Sequence, residues 1–473
     1  MKSALLFLLT ATGAFAALPA VGPDYQRPAI AAPAFYRETG EASPRTAAPS
    51  DKMVGTEWWR QFDDATLNRL ESQALAANQD LKAAAAQAEQ AAAAAGLARS
   101  AYWPQVTSDP ALTRSRMSTT TDNPFPVPVA NDFTVPLFAS WELDLFGRVR
   151  RLNESARDEA DAASSLFESA RLSLAAAVAT DYFTLRGLDR ELVILKETVA
   201  LRRRELDLVL AQRHSGAATE LDTARAETEL AATEAESAAV AGRRESLQDA
   251  IAVLEGEDAT SFSLPLSAEE IVLPTVPPGV PSQLLERRPD IAAAERSLAA
   301  ANARIGVAKA AFFPAISLTG SAGYDSGEAS RLFGPDSRIW SIGPSVYLPI
   351  FQGGRNRADL ERSRAAYLES LAAYRQQVLV AFREVQEALS LLKHFRDQSE
   401  AQDRAVASAR RAAQLAQIRY KAGYVSYLEV VDAQRTELGS ERASAQLFAQ
   451  FLDTDVALIK ALGGGWSAGA IMP

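Results

Sequence analysis

The octapeptide LARSAYWP at residues 97–104 returns 210 positions later as VAKAAFFP at residues 307–314, with two aromatic residues and a proline in the same places. A second match, offset by 207 positions, relates residues 216–226 to residues 423–433. It repeats a glycine, a hydroxyl residue, a leucine and a carboxylate in the same order. Two ordered matches indicate an internal duplication, and a fold with internal pseudo-symmetry is therefore predicted.

The composition argues against several classes of function. The chain has 473 residues, a formal net charge of −10, no cysteine and two histidines. His214 and His394 are too few and too far apart for a ligand cluster, so neither a metal site nor a cofactor is expected. The acidic balance argues against nucleic acid as a partner, because phosphates require a basic face. Since no phosphate-binding glycine loop or nucleophile elbow occurs, the sequence does not predict an enzyme.

The first 16 residues have the pattern of a cleaved secretory signal peptide. Lys2 precedes an apolar run from Ala4 to Leu9, and Ala14-Phe15-Ala16 supplies a cleavage site before Ala17. The mature protein is therefore expected outside the cytoplasm. No other apolar run reaches about 18 residues, so any membrane-spanning part is expected to consist of strands.

Two long stretches without proline predict unusually long helices. Residues 148–214 and 355–421 contain almost no glycine, and about 67 residues of unbroken helix extend for roughly 100 Å. Each stretch is followed by a glycine, Gly216 or Gly423, and then by a Thr or Ser three positions before a carboxylate. A helix-stopping glycine and a capping box are therefore predicted at both turns, so that each long helix folds back as a hairpin.

The remaining helical segments complete two repeats. Further helices are predicted from Asp64 to about Ala101, from Thr219 to about Glu255 and from Ser426 to about Leu462. A stretch rich in proline, serine and acidic residues separates the halves and is predicted to pack against the helical body. The predicted organisation is a signal peptide at 1–16, an N-terminal extended segment at 17–56, a first structural repeat at 57–255, an inter-repeat linker at 256–281, a second structural repeat at 282–466 and a C-terminal tail at 467–473.

Each half also contains two segments in which apolar and polar residues alternate, the period of a β-strand. The clearest examples are residues 134–145, 316–324 and 340–350. A half-buried strand of a soluble sheet shows the same alternation. If these strands cross a membrane, the residues expected to face lipid are Val135, Leu137, Trp141, Leu143, Trp340, Ile342, Val346 and Leu348.

Four strands per chain are too few to close the barrel that lipid requires of a spanning sheet. Two copies would give eight strands, and the interior of an eight-stranded barrel is filled by side chains. Three copies would give twelve strands and begin to leave a lumen. A homotrimer is therefore the better channel.

Eight short motifs occur in a fixed order along the chain. They are VGPDYQRP at 21–28, WWxxFxD at 58–64, LxxRPDIxxAE at 285–295, AFFP at 311–314, FxGG at 351–354, RYxxG at 419–423, DAQR at 432–435 and ALGGGW at 461–466. Together they cover almost the whole mature chain and resemble the TolC-like outer-membrane efflux proteins, the outer-membrane factors of resistance-nodulation-division type tripartite efflux systems. The resemblance implies a mainly α fold with a membrane β-barrel portion, in which four strands per chain complete a trimeric twelve-stranded β-barrel above a periplasmic α-helical barrel.

The resemblance also implies a function and partners. A member of this family would be an exit duct in the outer membrane of a Gram-negative bacterium, extending into the periplasm and passively conducting small toxic compounds. Its partners would be a periplasmic adaptor protein, an inner-membrane efflux pump, outer-membrane lipid and two further copies of itself. Relatives usually carry a cysteine for lipid attachment near the mature N-terminus, but Pro19 occupies that position, so no lipidation is expected.

The same resemblance assigns site residues at the hairpin turns. Leu428, Asp432 and Arg435 would supply an apolar constriction, an acidic ring and an ion-pairing partner of a periplasmic gate. A routine pair between Asp432 and Arg435 on one helix is the plainer alternative. The first copy contributes Glu220, Asp222 and Arg225, which are expected to pair with the second turn in the closed state. The adaptor-docking tips would be Gly216 and Gly423, although both can equally be simple helix stops.

Two other functions remain open at this stage. A duct of a type I protein-secretion system would use the same architecture, but the RPD motif and the terminal glycines favour efflux. A periplasmic coiled-coil scaffold without a channel would account for the long helices. It would not require the apolar faces of the strands, which argue against it.

Overall fold

The computed structural model describes residues 20–30, 33, 36–37, 57–118, 120, 129–269, 271 and 287–464. The predicted signal peptide and C-terminal tail lie outside the described residues, as do parts of the N-terminal segment and of the linker. The chain forms two compact units, one from residues 1–29, 87–164 and 293–375, the other from residues 30–86, 165–292 and 376–473. Each unit therefore takes segments from both halves of the duplicated sequence.

Helices dominate the part of the chain that the structure describes. They are α1 (Ala65–Ala77), α2 (Gln79–Ser100), α3 (Arg148–His214), α4 (Glu220–Leu254), α5 (Pro289–Ala310), α6 (Arg355–Lys421) and α7 (Tyr427–Ala461). The long helices α3 and α6 have 67 residues each, and α4 and α7 have 35 each. The two predicted hairpins are confirmed to within one or two residues.

The predicted helix from Asp64 to Ala101 is wrong in one respect, because it breaks at Asn78. The Asn78 backbone is extended, with ψ at 131°, while its N–H still donates to the Ala74 carbonyl at 2.9 Å. Its side-chain Oδ1 accepts a hydrogen bond from the Leu81 N–H at 2.8 Å, and Nδ2 donates to the Leu254 carbonyl at 2.9 Å. Asn78 therefore ends α1 and caps α2 by local hydrogen bonds that compete with a continuous helix.

The strands form one antiparallel sheet. They are β1 (Gln105–Ser108), β2 (Ala111–Arg116), β3 (Val129–Leu143), β4 (Ala315–Ser326) and β5 (Arg338–Tyr347). Both β1 and β2 pair with β3, one after the other along its length. On its other side β3 pairs with β4, and β4 pairs with β5. The two strands expected in each half are confirmed, with the first of them interrupted at Asp109-Pro110, where proline has no N–H to donate.

The second half's last strand is shorter than predicted. It ends at Tyr347, so Leu348 lies outside the sheet, although it was expected among the outward strand residues. Pro349 accounts for this, because it lacks a donor for the ladder and restricts the backbone of the preceding residue.

The register of the sheet separates an apolar face from a polar one. Residues paired across strands point to the same side, and alternate positions point to opposite sides. One face carries the rows Leu137–Ala322–Trp340, Ala139–Gly320–Ile342, Trp141–Leu318–Pro344 and Leu143–Ile316–Val346, and the other carries Phe138–Ser321–Ser341, Ser140–Thr319–Gly343 and Glu142–Ser317–Ser345. In these seven rows, the alternation seen along single strands therefore continues across β3, β4 and β5.

The WWxxFxD motif supplies the largest side chains of a core in the second unit. Trp58, Trp59 and Phe62 are buried, and the Phe62 ring lies 4.7 Å from the Phe183 ring between centroids. Asp64 caps α1 and also accepts a hydrogen bond from the Tyr182 hydroxyl at 2.6 Å. Burial of each aromatic side chain contributes roughly 2–3 kcal/mol, which explains why the motif consists of aromatic residues.

The VGPDYQRP motif packs against α3 and α5 in the first unit. The Val21 N–H donates to the Phe146 carbonyl at 3.0 Å, and Asn302 Nδ2 donates to the Pro23 carbonyl at 2.9 Å. Gly22 has a φ of +113°, and a Cβ at this position would lie 2.5 Å from the Gly306 Cα. The backbones approach each other too closely here for any side chain.

Replacing Gly22 by alanine is therefore expected to detach this segment, at a cost of roughly 2 kcal/mol or more from overpacking and backbone strain. The matched control is Gly96→Ala in α2, where nothing lies within 4 Å and the better helix propensity should stabilise by up to about 1 kcal/mol. Thermal unfolding and the rate of chymotryptic cleavage after Tyr25 would measure both effects. Equal behaviour of the two variants would contradict the close packing.

Candidate functional site

The two hairpin turns have the same backbone geometry. Gly216 and Gly423 adopt φ values of +76° and +75°, in the left-handed region that glycine enters without strain. In the first turn the Ala217 N–H donates to the Gln212 carbonyl at 2.8 Å, and in the second the Tyr424 N–H donates to the Arg419 carbonyl at 2.9 Å. Both helices thus end in Schellman-type caps, as predicted from the glycines.

The helices that follow begin differently. Thr219 and Asp222 form the predicted capping box, in which the Asp222 N–H donates to the Thr219 hydroxyl at 3.2 Å and the Thr219 N–H donates to the Asp222 carboxylate at 3.1 Å. Ser426 is the N-cap of α7, but its side chain makes no capping hydrogen bond. The capping box predicted for the second turn is therefore wrong, and the Glu429 N–H donates to the Ser426 carbonyl instead.

Aromatic and aliphatic side chains hold the two hairpins together beside the turns. The Tyr420 hydroxyl donates to Gln212 Oε1 at 2.8 Å, and the rings of Tyr420 and Tyr427 lie 5.6 Å apart. A buried cluster continues from there along α3, α4 and α7, formed by Val209, Ala226, Tyr427, Val430 and Val431. The turns are therefore backed by a packed apolar layer.

The three residues assigned to a gate on α7 lie on the outside of this layer. Leu428 is 41% exposed, Asp432 is exposed and the Arg435 side chain is 58% exposed. Leu221 is the residue of the first repeat that corresponds to Leu428 of the second, and it is exposed as well. A single chain thus presents two apolar side chains near its turns without covering them.

Arg435 makes a contact that the sequence did not predict. Its Nε donates to Glu229 Oε1 at 2.9 Å, and Nη2 contacts the same oxygen, which joins α7 to α4. The hydrogen bonds to Glu229 raise the pKa of Arg435. Asp432 adds only a weaker attraction, so the plain pair between Asp432 and Arg435 is not the main contact of this guanidinium group.

Glu229 is the centre of this arrangement. Its side chain is 8% exposed, and Arg202 approaches its Oε2 to 2.8 Å from the opposite side. Arg202 also donates to the Glu229 carbonyl at 2.7 Å and to the Thr233 hydroxyl. One buried carboxylate thus links a buried arginine of α3 to an exposed arginine of α7, and its removal would leave Arg202 buried without its counter-ion.

A second buried carboxylate lies nearby on α3. Glu205 accepts hydrogen bonds from Gln434, the neighbour of Arg435, and from Gln417 Nε2 at 3.2 Å. Burial raises the pKa of Glu205, while the hydrogen bond from Gln434 and the charge of Arg202 lower it. The DAQR motif therefore contributes two inward contacts, through Gln434 and Arg435, and leaves Asp432 at the surface.

The residues assigned to the first turn make contacts within their own hairpin. Glu220 approaches Arg213 to 3.4 Å, and Asp222 is used in the capping box with Thr219. Arg225 is half-buried. Near the turns, the ion pair between Glu229 and Arg435 joins the two hairpins within the chain.

Two contributors to this region were missed from the sequence. Leu221 could have been found, because the offset of 207 that relates the repeats connects it directly to Leu428. Glu229 could not, since the same offset connects it to Thr436, which carries no charge. A carboxylate in the middle of a helix with many others gives no local signal of the partner that it meets in space.

Comparison with known proteins places the chain in a family. Within the described residues, no helix is both long and apolar enough to cross a membrane. The sequence model for the outer membrane efflux protein family matches twice, at residues 70–257 and 280–464. The chain belongs to the outer membrane efflux protein family. The two matches follow the two halves of the internal duplication.

Individual members of the outer membrane efflux protein family are similar over nearly their full length. Outer membrane protein OprJ of Pseudomonas aeruginosa is 37% identical over 470 residues, which cover 99% of this chain and 96% of that protein. Cation efflux system protein CusC of Escherichia coli is 32% identical over 451 residues, covering 94% and 95% of the two chains. The solved outer-membrane channel OprN is 35% identical and superimposes with a TM-score of 0.86 over 94% of this chain and 99% of its own.

These similarities confirm the efflux function and the location expected from the sequence motifs. The protein is an outer-membrane component of an efflux system. Its family and relatives are channels and efflux ducts rather than enzymes.

Proposed function

We propose that this outer membrane efflux protein is a homotrimeric exit duct of a tripartite pump. Small toxic compounds would pass through it passively, after delivery by an inner-membrane pump and a periplasmic adaptor protein. The observation that carries the proposal is the two-faced sheet, in which four successive rows on one side are apolar, while the rows on the other side consist of serine, threonine and glycine together with Phe138 and Glu142. Lipid outside and water inside is the environment that suits such a sheet.

The open edges of that sheet are the reason for assembly with further copies. The strand order ends at β1 and β2 on one side and at β5 on the other, so one chain has two open edges. Unpaired backbone groups are too costly in hydrocarbon, and closure onto neighbouring chains removes them. Three chains with four strand positions each give twelve strands, enough to begin to leave a lumen. The outward positions are then Val135, Leu137, Trp141, Leu143, Trp340, Ile342 and Val346.

The long helices suit the periplasmic part of the duct. With 67 residues each, α3 and α6 would extend for roughly 100 Å, far more than a single small domain needs. Their exposed positions include apolar side chains such as Leu166, Leu379, Leu391 and Leu415. Neighbouring chains would cover these side chains in a helical barrel, in which the two repeats at 57–255 and 282–466 alternate around the axis.

The turns would form the closed end of this barrel. Three copies of Leu428 would narrow the opening, and three copies of Asp432 would place a ring of negative charge there. Arg435 would hold its helix against α4 through Glu229 until opening separates them. Gly216 and Gly423 would mark the adaptor-docking tips, because both turns are exposed and have the same backbone shape.

The test is the behaviour of the purified protein in detergent and in lipid. A trimer is expected by light scattering, at three times the mass of the mature chain, and the same sample should give ion-conducting events in planar bilayers. A folded monomer that partitions into the aqueous phase and never conducts would contradict the duct and favour the coiled-coil scaffold. Secretion of a protein substrate by the assembled system, without loss of drug export on deletion, would instead favour the type I secretion duct.

A further inference from the structure

We propose that a cavity at the junction of the sheet and the helices binds the phosphate of an anionic glycerophospholipid. The cavity lies in the first unit, where α2 leads into β1 and where β3 leads into α3. The proposal rests on the membrane placement proposed above, because it assigns the cavity to the periplasmic leaflet of the outer membrane. It adds a ligand site that neither the duct nor the gate requires.

The cavity has a volume of about 440 Å³ and a wall of aromatic and basic side chains. The residues that matter for the proposal are Arg99, Tyr102, Trp103, Trp141, Arg150 and Arg157. Such a volume is in the range of small-molecule sites and is large enough for a phosphate with part of its glycerol backbone.

Hydrogen bonds fix the shape of the cavity mouth. Trp141 Nε1 donates to the Tyr102 carbonyl at 3.0 Å, which ties the end of β3 to the turn after α2. Asn153 Nδ2 donates to the Ala98 carbonyl at 2.9 Å, and Gln105 Nε2 donates to the Ser100 carbonyl at 3.1 Å. The last turn of α2 and the residues after it are therefore held in place from three directions.

The charges in the wall leave a positive excess. Asp144 and Glu142 are the two acidic residues of the wall, and each is already paired with an arginine. Arg150 Nε lies 3.1 Å from the Asp144 carboxylate, and Arg148 Nε donates to Glu142 at 2.8 Å. Arg99 and Arg157 form no ion pair with any described residue. Burial raises the pKa of Tyr102 and the charge of Arg157 lowers it, so Arg157 acts on the same wall. Two guanidinium groups are thus available to one anion.

The position of the cavity relative to the apolar face selects a lipid rather than a free anion. Trp141 belongs to the apolar face of the sheet. Val106 pairs with Ala139 of the same face, so this face extends onto β1 beside the cavity. Trp103 is 62% exposed beside the mouth. An acyl chain could therefore lie along the apolar rows while its phosphate enters the cavity. Aromatic and basic residues are the types that concentrate at the water boundary of a membrane.

Native mass spectrometry of the detergent-solubilised trimer would test the site. The protein would be titrated with phosphatidylglycerol, with phosphatidylcholine or with inorganic phosphate, and the bound fraction would be compared for wild type and the double variant Arg99→Gln/Arg157→Gln. The matched control is Arg364→Gln/Arg375→Gln, which removes two exposed arginines of α6.

Wild type and the control are expected to retain phosphatidylglycerol in preference to phosphatidylcholine, and the double variant to bind it at least about tenfold more weakly, because two charge-assisted contacts are lost. Equal loss in the control, or no preference in wild type, would overturn the proposal. Retention of inorganic phosphate as tightly as the lipid would overturn the choice of a lipid.

Conductance in planar bilayers separates this proposal from the proposed function. The double variant is expected to conduct like wild type, because Arg99 and Arg157 lie on helices outside the sheet and take no part in the proposed gate. A wild-type protein that neither trimerises nor conducts would defeat the duct whatever its lipid preference. A conducting trimer without lipid preference would defeat only the phospholipid site.

Discussion

In planar bilayers, the double variant Asp432→Ala/Arg435→Ala is expected to raise the time-averaged conductance by roughly 10- to 100-fold over wild type, which should be closed most of the time. Each copy loses the exposed charge of Asp432 and the link from Arg435 to Glu229. Partly exposed ion pairs are worth roughly 0.5–1 kcal/mol, and three copies add to about 1.5–3 kcal/mol. A loss of about 1.5–3 kcal/mol from the free energy of the closed state raises the ratio of open to closed channels by roughly 10- to 100-fold.

Single variants separate the two contributions. Asp432→Asn removes the charge that the trimer would bring together but leaves the link between α4 and α7 intact. Arg435→Gln breaks that link and leaves the acidic residue in place. The matched control is Arg410→Ala/Glu441→Ala, which removes an ion pair with a distance of 2.5 Å between α6 and α7, farther from the turns. Large and equal currents in wild type and the double variant would place the gate elsewhere.

The sequence was most informative where local rules decide the structure. Long stretches without proline, glycines with positive φ at both turns and a capping box at Thr219 predicted α3, α4, α6 and α7 almost to the residue. The alternation of apolar and polar residues likewise predicted the strands, because a period of two reports directly which side chains share a face. None of these features depends on a distant partner.

Long-range contacts could not be predicted in the same way. At the break between α1 and α2, the Asn78 side chain also donates to the Leu254 carbonyl, which is 176 positions away, and the sequence has no glycine or proline there. The link between Arg435 and Glu229 joins residues 206 positions apart, at sites that are not equivalent in the two repeats. At the second turn, Ser426 has the right spacing for a capping box but does not cap. Spacing identifies candidates for a contact, while the packing of neighbouring helices decides which contacts form.

Substitution of Arg288, in the RPD motif at residues 288–290, is expected to lower the free energy of unfolding more than any other single substitution proposed for this chain. Its side chain is 7% exposed and makes hydrogen bonds to three groups. Two donors bind the Asp290 carboxylate at 3.0 Å and 2.6 Å, and Nη1 donates to Glu384 at 2.6 Å and to the Ala461 carbonyl at 3.1 Å. A single guanidinium group therefore ties the start of α5 to α6 and to the end of α7.

Arg288→Gln is expected to lower the free energy of unfolding by roughly 3 kcal/mol at neutral pH, because it removes the buried guanidinium group and leaves the partly buried Asp290 without its counter-ion. Arg288→Lys should recover little of this, since an ammonium group cannot bind the carboxylate and two further acceptors in the same plane. The matched control is Arg304→Gln at the other end of α5, which breaks an exposed pair with Glu159 and should cost less than about 1 kcal/mol. Denaturant-induced unfolding of the three variants would rank them.

The pH dependence gives the second readout of the Arg288 prediction. Burial alone would raise the pKa of Asp290, but the hydrogen bonds and charge of Arg288 outweigh it and hold this pKa below its usual value. Because the folded-state pKa is lowered, the pair contributes stability above the pKa of the unfolded chain, near 3.9, and loses it as the pH falls through the folded value. The deficit of Arg288→Gln should therefore be largest at neutral pH and shrink below about pH 4, where Asp290 of the variant can take up a proton. A deficit that stays constant with pH would mean that Arg288 acts by packing its alkyl chain and its neutral hydrogen bonds, and not through the charge of Asp290.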